Sequence, residues 1–168
     1  KILEAAGLSV PQIYAADTDA GYLLLEDFGD RLYRRCLEEG ASEHDLYQKA
    51  IDTLIHLQKQ SLDPETLPPY SKEKFLEEAM VFLEWAFPHI TQSTVTAEVE
   101  TSFVNVWSEA HANLPEVPKG IVLRDFMVDN LMWLPDRSGV QSCGLLDFQD
   151  ALWGDVTYDV VSLLEDAR

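Results

Sequence analysis

Residues 123–130 read Leu-Arg-Asp-Phe-Met-Val-Asp-Asn, and residues 147–150 read Asp-Phe-Gln-Asp; the fold and chemistry of this sequence are decided by these two segments. Four of their polar residues lie at the ends of short apolar runs that we interpret as strands: Asp125, Asn130, Asp147 and Asp150. Carboxylates and amides are costly to bury without a partner. Their position beside apolar strands therefore indicates a specific role.

The spacing of these residues suits phosphoryl transfer. That chemistry needs a carboxylate that accepts the proton of the attacking hydroxyl, and oxygen ligands for magnesium on the nucleotide phosphates. Asp125 and Asn130 would place a base and a metal ligand on one loop. The 17 residues from Asn130 to Asp147 suffice for a strand, a turn at 135–139 and a returning strand that brings a second metal ligand.

Upstream, the sequence predicts a small β segment followed by helices. Residues 2–7 are typical of the end of a helix that stops at Gly7. Two extended runs, at 12–16 and 22–25, predict a β-hairpin. Apolar periodicity predicts three helices, at 42–60, at 72–87 ending before Pro88, and at 96–113. The large aromatic residues recur at helical spacing and are predicted to lie in the core: Tyr47, Phe75, Phe82, Trp85, Phe103 and Trp107.

The last third of the sequence predicts short strands rather than long helices. Strands are expected at 121–123, 131–134 and 142–146, a loop at 147–155 and a helix at 157–167. A small β segment, then helices, then short strands is the order of an α+β fold and not of a doubly wound sheet.

The amino-acid composition argues against several classes of binding partner. The net charge of −18 argues against binding to nucleic acid or anionic membranes, and is compatible with a cationic substrate or with an acidic surface that only maintains solubility. No apolar run approaches the roughly 20 residues of a membrane helix. Cys36 and Cys143 lie far apart, so a zinc site is not expected, and two isolated thiols suit a cytoplasmic location.

These motifs carry a family resemblance. Asp125 with Asn130, followed by Asp147-Phe148, resembles the catalytic loop and metal motif of the protein-kinase-like fold. Gly154-Asp155 before Tyr158-Asp159 is similar to the aminoglycoside phosphotransferase and choline kinase branch. Within that branch, the bacterial N-acetylmuramate/N-acetylglucosamine anomeric kinases of cell-wall recycling are similar in three strings: 129–135, 144–151 and 23–30, the last at their inter-lobe hinge.

The resemblance implies a role for each matching residue. Asp125 would be the catalytic base, Asn130 and Asp147 would hold Mg²⁺, and the backbone of the hinge residues Glu26, Asp27 and Phe28 would meet the adenine of ATP. Two carboxylates, Asp150 and Asp155, would lie near the substrate, although carboxylates at a helix N-terminus are common without function. Two residues would support the loop: Asp159 by bracing it, and Arg124 as a partner for a carboxylate.

The resemblance also implies a division of the chain. Residues 1–28 would be part of a β-rich N-lobe, and 29–168 a helical C-lobe that is incomplete at its C-terminus. Two motif positions depart from the family, with Leu123 in place of His and Gln149 in place of Gly. The sequence has no glycine-rich phosphate loop and no strand lysine before the hinge, so both are expected upstream and the isolated 168 residues are expected to be inactive.

Three functions remain open from the sequence. The first is an ATP- and Mg²⁺-dependent kinase acting on a hydroxyl of a small molecule, preferably an amino sugar. The second keeps the chemistry and takes an aminoglycoside or a choline-type alcohol as acceptor. The third is a pseudokinase or binding module, motivated by Leu123 and the missing phosphate loop. The oligomeric state is left open.

Overall fold

A computed structural model describes residues 1–165, so the predicted helix end at 166–167 lies outside the described residues. The chain forms two compact units, one of residues 1–67 with the chain from Lys119 onward, and one of residues 68–118. The elements follow in chain order: α1 (Ile2–Ala5), β1 (Ile13–Asp17), β2 (Tyr22–Leu25), α2 (Tyr33–Glu38), α3 (Glu43–Gln58), α4 (Lys72–Val81), α5 (Phe87–Thr91), α6 (Ala97–Ala112), β3 (Lys119–Val122), β4 (Leu131–Trp133), β5 (Cys143–Leu145), β6 (Leu152–Asp155) and α7 (Tyr158–Leu164).

The described strands form three two-stranded antiparallel sheets, β1–β2, β3–β6 and β4–β5, all in the first unit. The β1–β2 hairpin is closed by Asp17, whose Oδ1 accepts a hydrogen bond from the Ala20 amide at 3.0 Å. Small sheets combined with helices confirm the predicted α+β class.

Helix α3 is the central helix of the first unit. Ser42 caps it, because its Oγ accepts from the Asp45 amide at 3.3 Å. Its predicted apolar face is buried, with Leu46, Ala50, Leu54 and Leu57 in the core. The largest fully buried side chains come from helices, strands and the 123–130 loop alike: Tyr33, Phe126, Leu57, Leu131, Leu145 and Leu163.

The loop predicted at 147–155 was wrong in its last four residues, which form β6. This strand pairs with β3 so that Gly120 lies opposite Gly154. A Cβ on Gly120 would lie 2.0 Å from the Gln58 Oε1, and Gln58 Nε2 donates to the Ile121 carbonyl at 2.7 Å. The strand is formed by pairing with β3, about 30 residues upstream, so residues 147–155 themselves carry no signal for it.

In the second unit, Pro88 does not end a helix as predicted. It lies in the first turn of α5, where the missing proline N–H is not needed. A π-helical turn at Phe82–Ala86 joins α4 to α5. The chain then turns at Gln92, whose φ of 55° lies in the left-handed region.

The aromatic side chains of the second unit are only partly a core. Phe82 stacks on Phe103 with ring centroids 6.0 Å apart, and Phe75 meets Trp107 at 5.5 Å. Trp85 is 75% exposed, Phe82 47% and Trp107 38%, however, so the prediction that these three lie in the core was wrong. Helical spacing gives the face of a residue only if the helix is regular, and Trp85 lies in the π-helical turn. No helix within residues 1–165 is long and apolar enough to cross a membrane.

Candidate active site

The loop at 123–130 joins β3 to β4 and is held by its own backbone. The Asp125 amide donates to the Leu123 carbonyl at 3.0 Å, and the Asn130 amide to the Met127 carbonyl at 2.9 Å. The Asn130 side-chain Nδ2 donates to the Asp125 carbonyl at 3.0 Å. Phe126 and Val128 are buried and anchor the loop, whereas Asp125 is half-buried. The Asp125 carboxylate is thus carried by a rigid loop at a partly exposed position.

Asp159, at the start of α7, supports the loop by hydrogen bonds to its backbone. Its two oxygens accept from the amides of Leu123 at 2.8 Å and Arg124 at 2.9 Å. One turn further along α7, the Ser162 Oγ donates to the Arg124 carbonyl at 3.1 Å. These are the contacts that the predicted bracing role of Asp159 requires.

Strained backbone is found in the same place. Three described residues other than glycine have a positive φ, and two of them belong to the motifs: Arg124 at 72° and Asp147 at 54°. Such conformations cost roughly 1–3 kcal/mol and persist where surrounding structure enforces them, which is common at functional sites. At Arg124 the surrounding structure is α7, through the Asp159 and Ser162 bonds.

Leu123, which stands where the family usually has His, is 3% exposed and packs in the core. Apolar packing therefore occupies this position, while the Leu123 amide still reaches Asp159. The departure from the family motif leaves the loop anchored.

The pKa of Asp159 is raised from an ordinary value of 3.8 to about 6, mainly by burial. The Leu123 and Arg124 amides oppose this rise, and the nearby charge of Asp125 adds to it. The side chain is 1% exposed. A carboxyl group whose pKa is higher in the folded state stabilises the fold fully below its unfolded pKa, and this contribution is lost as pH rises to the folded pKa.

We therefore expect the stability of the wild-type protein relative to Asp159→Asn to fall by up to about 3 kcal/mol between pH 4 and pH 7, at 1.36 kcal/mol per pKa unit. Urea unfolding of both proteins across this range measures the difference, in which the carboxylates that do not interact with Asp159 cancel. Parallel pH profiles for the two proteins would contradict the assignment of a raised pKa to Asp159.

The second motif follows β5. In the β4–β5 ladder Leu131 lies opposite Leu145, and the Leu146 amide donates to the Asn130 carbonyl at 2.9 Å. Asp147 comes directly after this bond and is exposed, with Gln149 Nε2 donating to its Oδ1. The hairpin predicted from the 17-residue spacing is thus present.

The donor atoms on these two elements suit magnesium. Because Asn130 Nδ2 is directed to the Asp125 carbonyl, its amide oxygen is the atom left for a cation. Asp147 adds a carboxylate. Mg²⁺ is typically held by one or two carboxylates together with phosphate oxygens and water. Within residues 1–165, no group of three or more His, Cys, Asp or Glu residues could hold a metal ion. A cation that needs more protein ligands would require such a group.

The hinge segment, which we define as residues 23–30, comprises most of β2 and the residues that follow it. The Glu26 amide donates to the Gln12 carbonyl at 2.8 Å, and Asp27 Oδ1 accepts from the Gly29 amide at 2.7 Å. Among residues 1–165, none hydrogen-bonds to the carbonyl of Glu26 or the amide of Phe28.

The two tentative substrate carboxylates differ in their surroundings. Asp155 forms an ion pair with Lys119 across the β3–β6 ladder, which gives it a structural partner. Asp150 is exposed, and its backbone carbonyl accepts from Arg124 Nη1 at 3.5 Å. The structure thus brings Arg124, Asp125 and Asp159 together and engages Asp155 elsewhere.

Two arginines at the site were missed by sequence analysis. Arg34 from α2 pairs with both carboxylate oxygens of Asp129 in the loop, 95 residues away in sequence. Arg137, in the turn after β4, donates to Glu26, 111 residues away. No local sequence pattern predicts either ion pair, because these segments come together only in the folded chain.

Comparison with known proteins identifies the family. The sequence profile of the phosphotransferase enzyme family matches residues 1–168. The N-acetylmuramate/N-acetylglucosamine kinase of Caulobacter vibrioides is 34% identical over 99% of this chain and 48% of its own length. The enzyme of that name from Neisseria meningitidis serogroup B is 38% identical over 95% of this chain and 47% of its own. The chain thus spans about half the length of the curated relatives it matches.

Solved structures confirm the predicted kinase-like fold. The gentamicin complex of APH(2")-IIa matches with a TM-score of 0.63 at 22% identity, over 98% of this chain and 56% of that one. ADP-bound aminoglycoside phosphotransferase APH(2'')-Ib matches with a TM-score of 0.61 at 23% identity, over 97% and 56%. The division at residues 28 and 29 into lobes stays a prediction. With its whole length covered by the profile, the chain belongs to the phosphotransferase enzyme family.

Proposed function

We propose that this protein is an ATP- and Mg²⁺-dependent kinase that transfers the γ-phosphate to a hydroxyl of an amino sugar, with N-acetylmuramate and N-acetylglucosamine as the first candidates. The observation that carries the proposal is the 123–130 loop, which presents Asp125 half-buried between the Asn130 side chain and the Asp159 brace. The curated relatives, named as kinases of these two sugars, support the choice of acceptor.

In this proposal each motif residue acts at a stated atom. The Asp125 carboxylate accepts the proton of the attacking hydroxyl. The Asn130 amide oxygen and the Asp147 carboxylate hold magnesium, which when bound neutralises charge on the nucleotide phosphates. The Glu26 carbonyl accepts from the adenine amino group, and the Phe28 amide donates to a ring nitrogen. Asp150 remains a candidate for orienting the acceptor.

We also propose a cellular location, a kind of binding partner and an activity for the isolated 168 residues. The two described thiols, Cys36 and Cys143, are free and buried, as suits a reducing cytoplasm. A small-molecule acceptor is proposed as the partner, and nucleic acid is not. The isolated 168 residues are proposed to have negligible activity because the sequence contains no glycine-rich phosphate loop.

Phosphate transfer from γ-labelled ATP, measured with the complete encoded protein and a panel of acceptors, tests the proposal. Turnover on N-acetylmuramate or N-acetylglucosamine, and none on neutral sugars lacking the acetamido group, is expected. Activity confined to aminoglycosides or choline would replace the acceptor class. The net charge of −18 favours that alternative, because an acidic protein attracts cations. Stabilisation by Mg-ATP without turnover on any acceptor would instead support a binding module.

A further inference from the structure

Arg137 connects three segments that are distant in sequence. Its Nη1 donates to the Ser9 Oγ at 2.9 Å, and its Nη2 donates to the Glu26 Oε1 at 2.6 Å. Its guanidinium carbon lies 4.9 Å from the centre of the Phe28 ring. One half-buried side chain therefore holds the approach to β1 and both ends of residues 26–28.

The partners of Arg137 are themselves fixed on the β4–β5 hairpin. The Ser9 carbonyl accepts from the Leu145 amide at 2.8 Å, and the Ser9 Oγ donates to the Gln141 carbonyl at 2.7 Å. The Phe28 ring lies directly on the bare backbone of Gly144, where an added Cβ would come within 2.9 Å of two ring atoms. The hinge segment is thus seated on β5 and held there by Arg137.

The choice of arginine fits these contacts. A guanidinium is planar and can donate to two separate partners while its face stacks on an aromatic ring, whereas a lysine ammonium is a compact point charge without this rigid fork. The Glu26 carboxylate also accepts from the Gln12 amide at 3.3 Å, so the ion pair fixes the residue whose carbonyl points to no protein partner within residues 1–165.

We propose that Arg137 is a positioning residue that fixes the conformation of the hinge segment, and so sets the affinity for the nucleotide. This inference rests on the proposed function for the contact between adenine and the Glu26 and Phe28 backbone. It extends that function to a residue outside the catalytic and metal motifs, which touches no reacting atom.

The test compares Arg137→Met, Arg137→Lys and, as a matched control, Arg35→Met in the complete encoded protein. Arg35 is an exposed arginine that pairs with Glu39, directly after the end of α2. Arg137→Met is expected to raise the KM for Mg-ATP about 10-fold and to change kcat less than about 3-fold. Arg137→Lys, which keeps the charge near Glu26, should lie between wild type and Arg137→Met, and Arg35→Met should match wild type.

Amide hydrogen exchange at residues 26–29 without nucleotide separates this inference from the proposed function. Arg137→Met should exchange faster there than wild type, with unchanged exchange in α3. An active wild type with unaltered nucleotide KM in Arg137→Met overturns the inference. If wild type shows no turnover on any acceptor, the proposed function fails. In that case, unchanged amide exchange at residues 26–29 in Arg137→Met overturns the inference as well. Faster exchange there supports the part of the inference that concerns the conformation of the hinge segment.

Discussion

Replacement of Asp125 by alanine is expected to lower kcat of the complete encoded protein by about 10²- to 10⁴-fold, the usual contribution of a positioned general base. The Asp125 side chain is half-buried, and its backbone is fixed on both sides, because its amide donates to the Leu123 carbonyl and its carbonyl accepts from Asn130 Nδ2. Initial rates of phosphate transfer at saturating ATP and acceptor measure the effect. The KM for ATP should change little, since Asp125 is not assigned to the nucleotide.

The control for this substitution is Asp19→Ala, which removes a carboxylate of the same kind from the exposed turn between β1 and β2. It should leave turnover unchanged. Thermal unfolding of both variants separates lost chemistry from a disordered loop, because Phe126 and Val128 still anchor the loop without the Asp125 carboxylate. Turnover of Asp125→Ala within about threefold of wild type, with normal stability, would contradict the assigned role.

Several parts of the fold that local sequence determines were predicted correctly. The Ser42 cap and the apolar face of α3 are encoded within one helix, and the turn at 135–139 is encoded by the residues of the turn itself. The spacing of the two motifs also predicted the hairpin between them, because the 17-residue interval from Asn130 to Asp147 limits how the chain can connect these residues. Local patterns of this kind depend on short-range interactions that any fold must satisfy.

The features that were missed depend on distant parts of the chain. Helix α2 was not predicted, although Tyr33 is fully buried, because six residues give too short a periodic pattern. Strand β6 exists only because β3 lies beside it. The pair between Arg137 and Glu26 spans 111 residues and joins two segments that read as a turn and a connector. Such contacts follow from the folded topology, and no window of sequence contains both partners.

Asp147→Gly is expected to separate stability from activity. With a φ of 54°, Asp147 has a backbone conformation that glycine adopts without strain. Its side chain is exposed and contacts Gln149, so little packing is lost. The free energy of unfolding should therefore stay the same or rise by up to about 1 kcal/mol. Turnover should fall by about 10²-fold or more, because a metal ligand to the phosphates contributes several kcal/mol to transition-state stabilisation.

Two further variants distinguish a metal ligand from an ordinary turn residue. Asp147→Asn keeps an oxygen and tolerates the left-handed backbone but loses the charge, so its turnover should recover partly as the Mg²⁺ concentration is raised. Gln149→Ala removes only the hydrogen bond to Asp147 and should have a small effect at every Mg²⁺ concentration. If Asp147 were merely structural, Asp147→Gly would lose stability and Gln149→Ala would share its defect. An equally or more stable Asp147→Gly protein with lower turnover would exclude a merely structural role, because strain at a functional residue is relieved while its function is lost. Partial recovery of Asp147→Asn with added Mg²⁺ would then identify the function as metal binding.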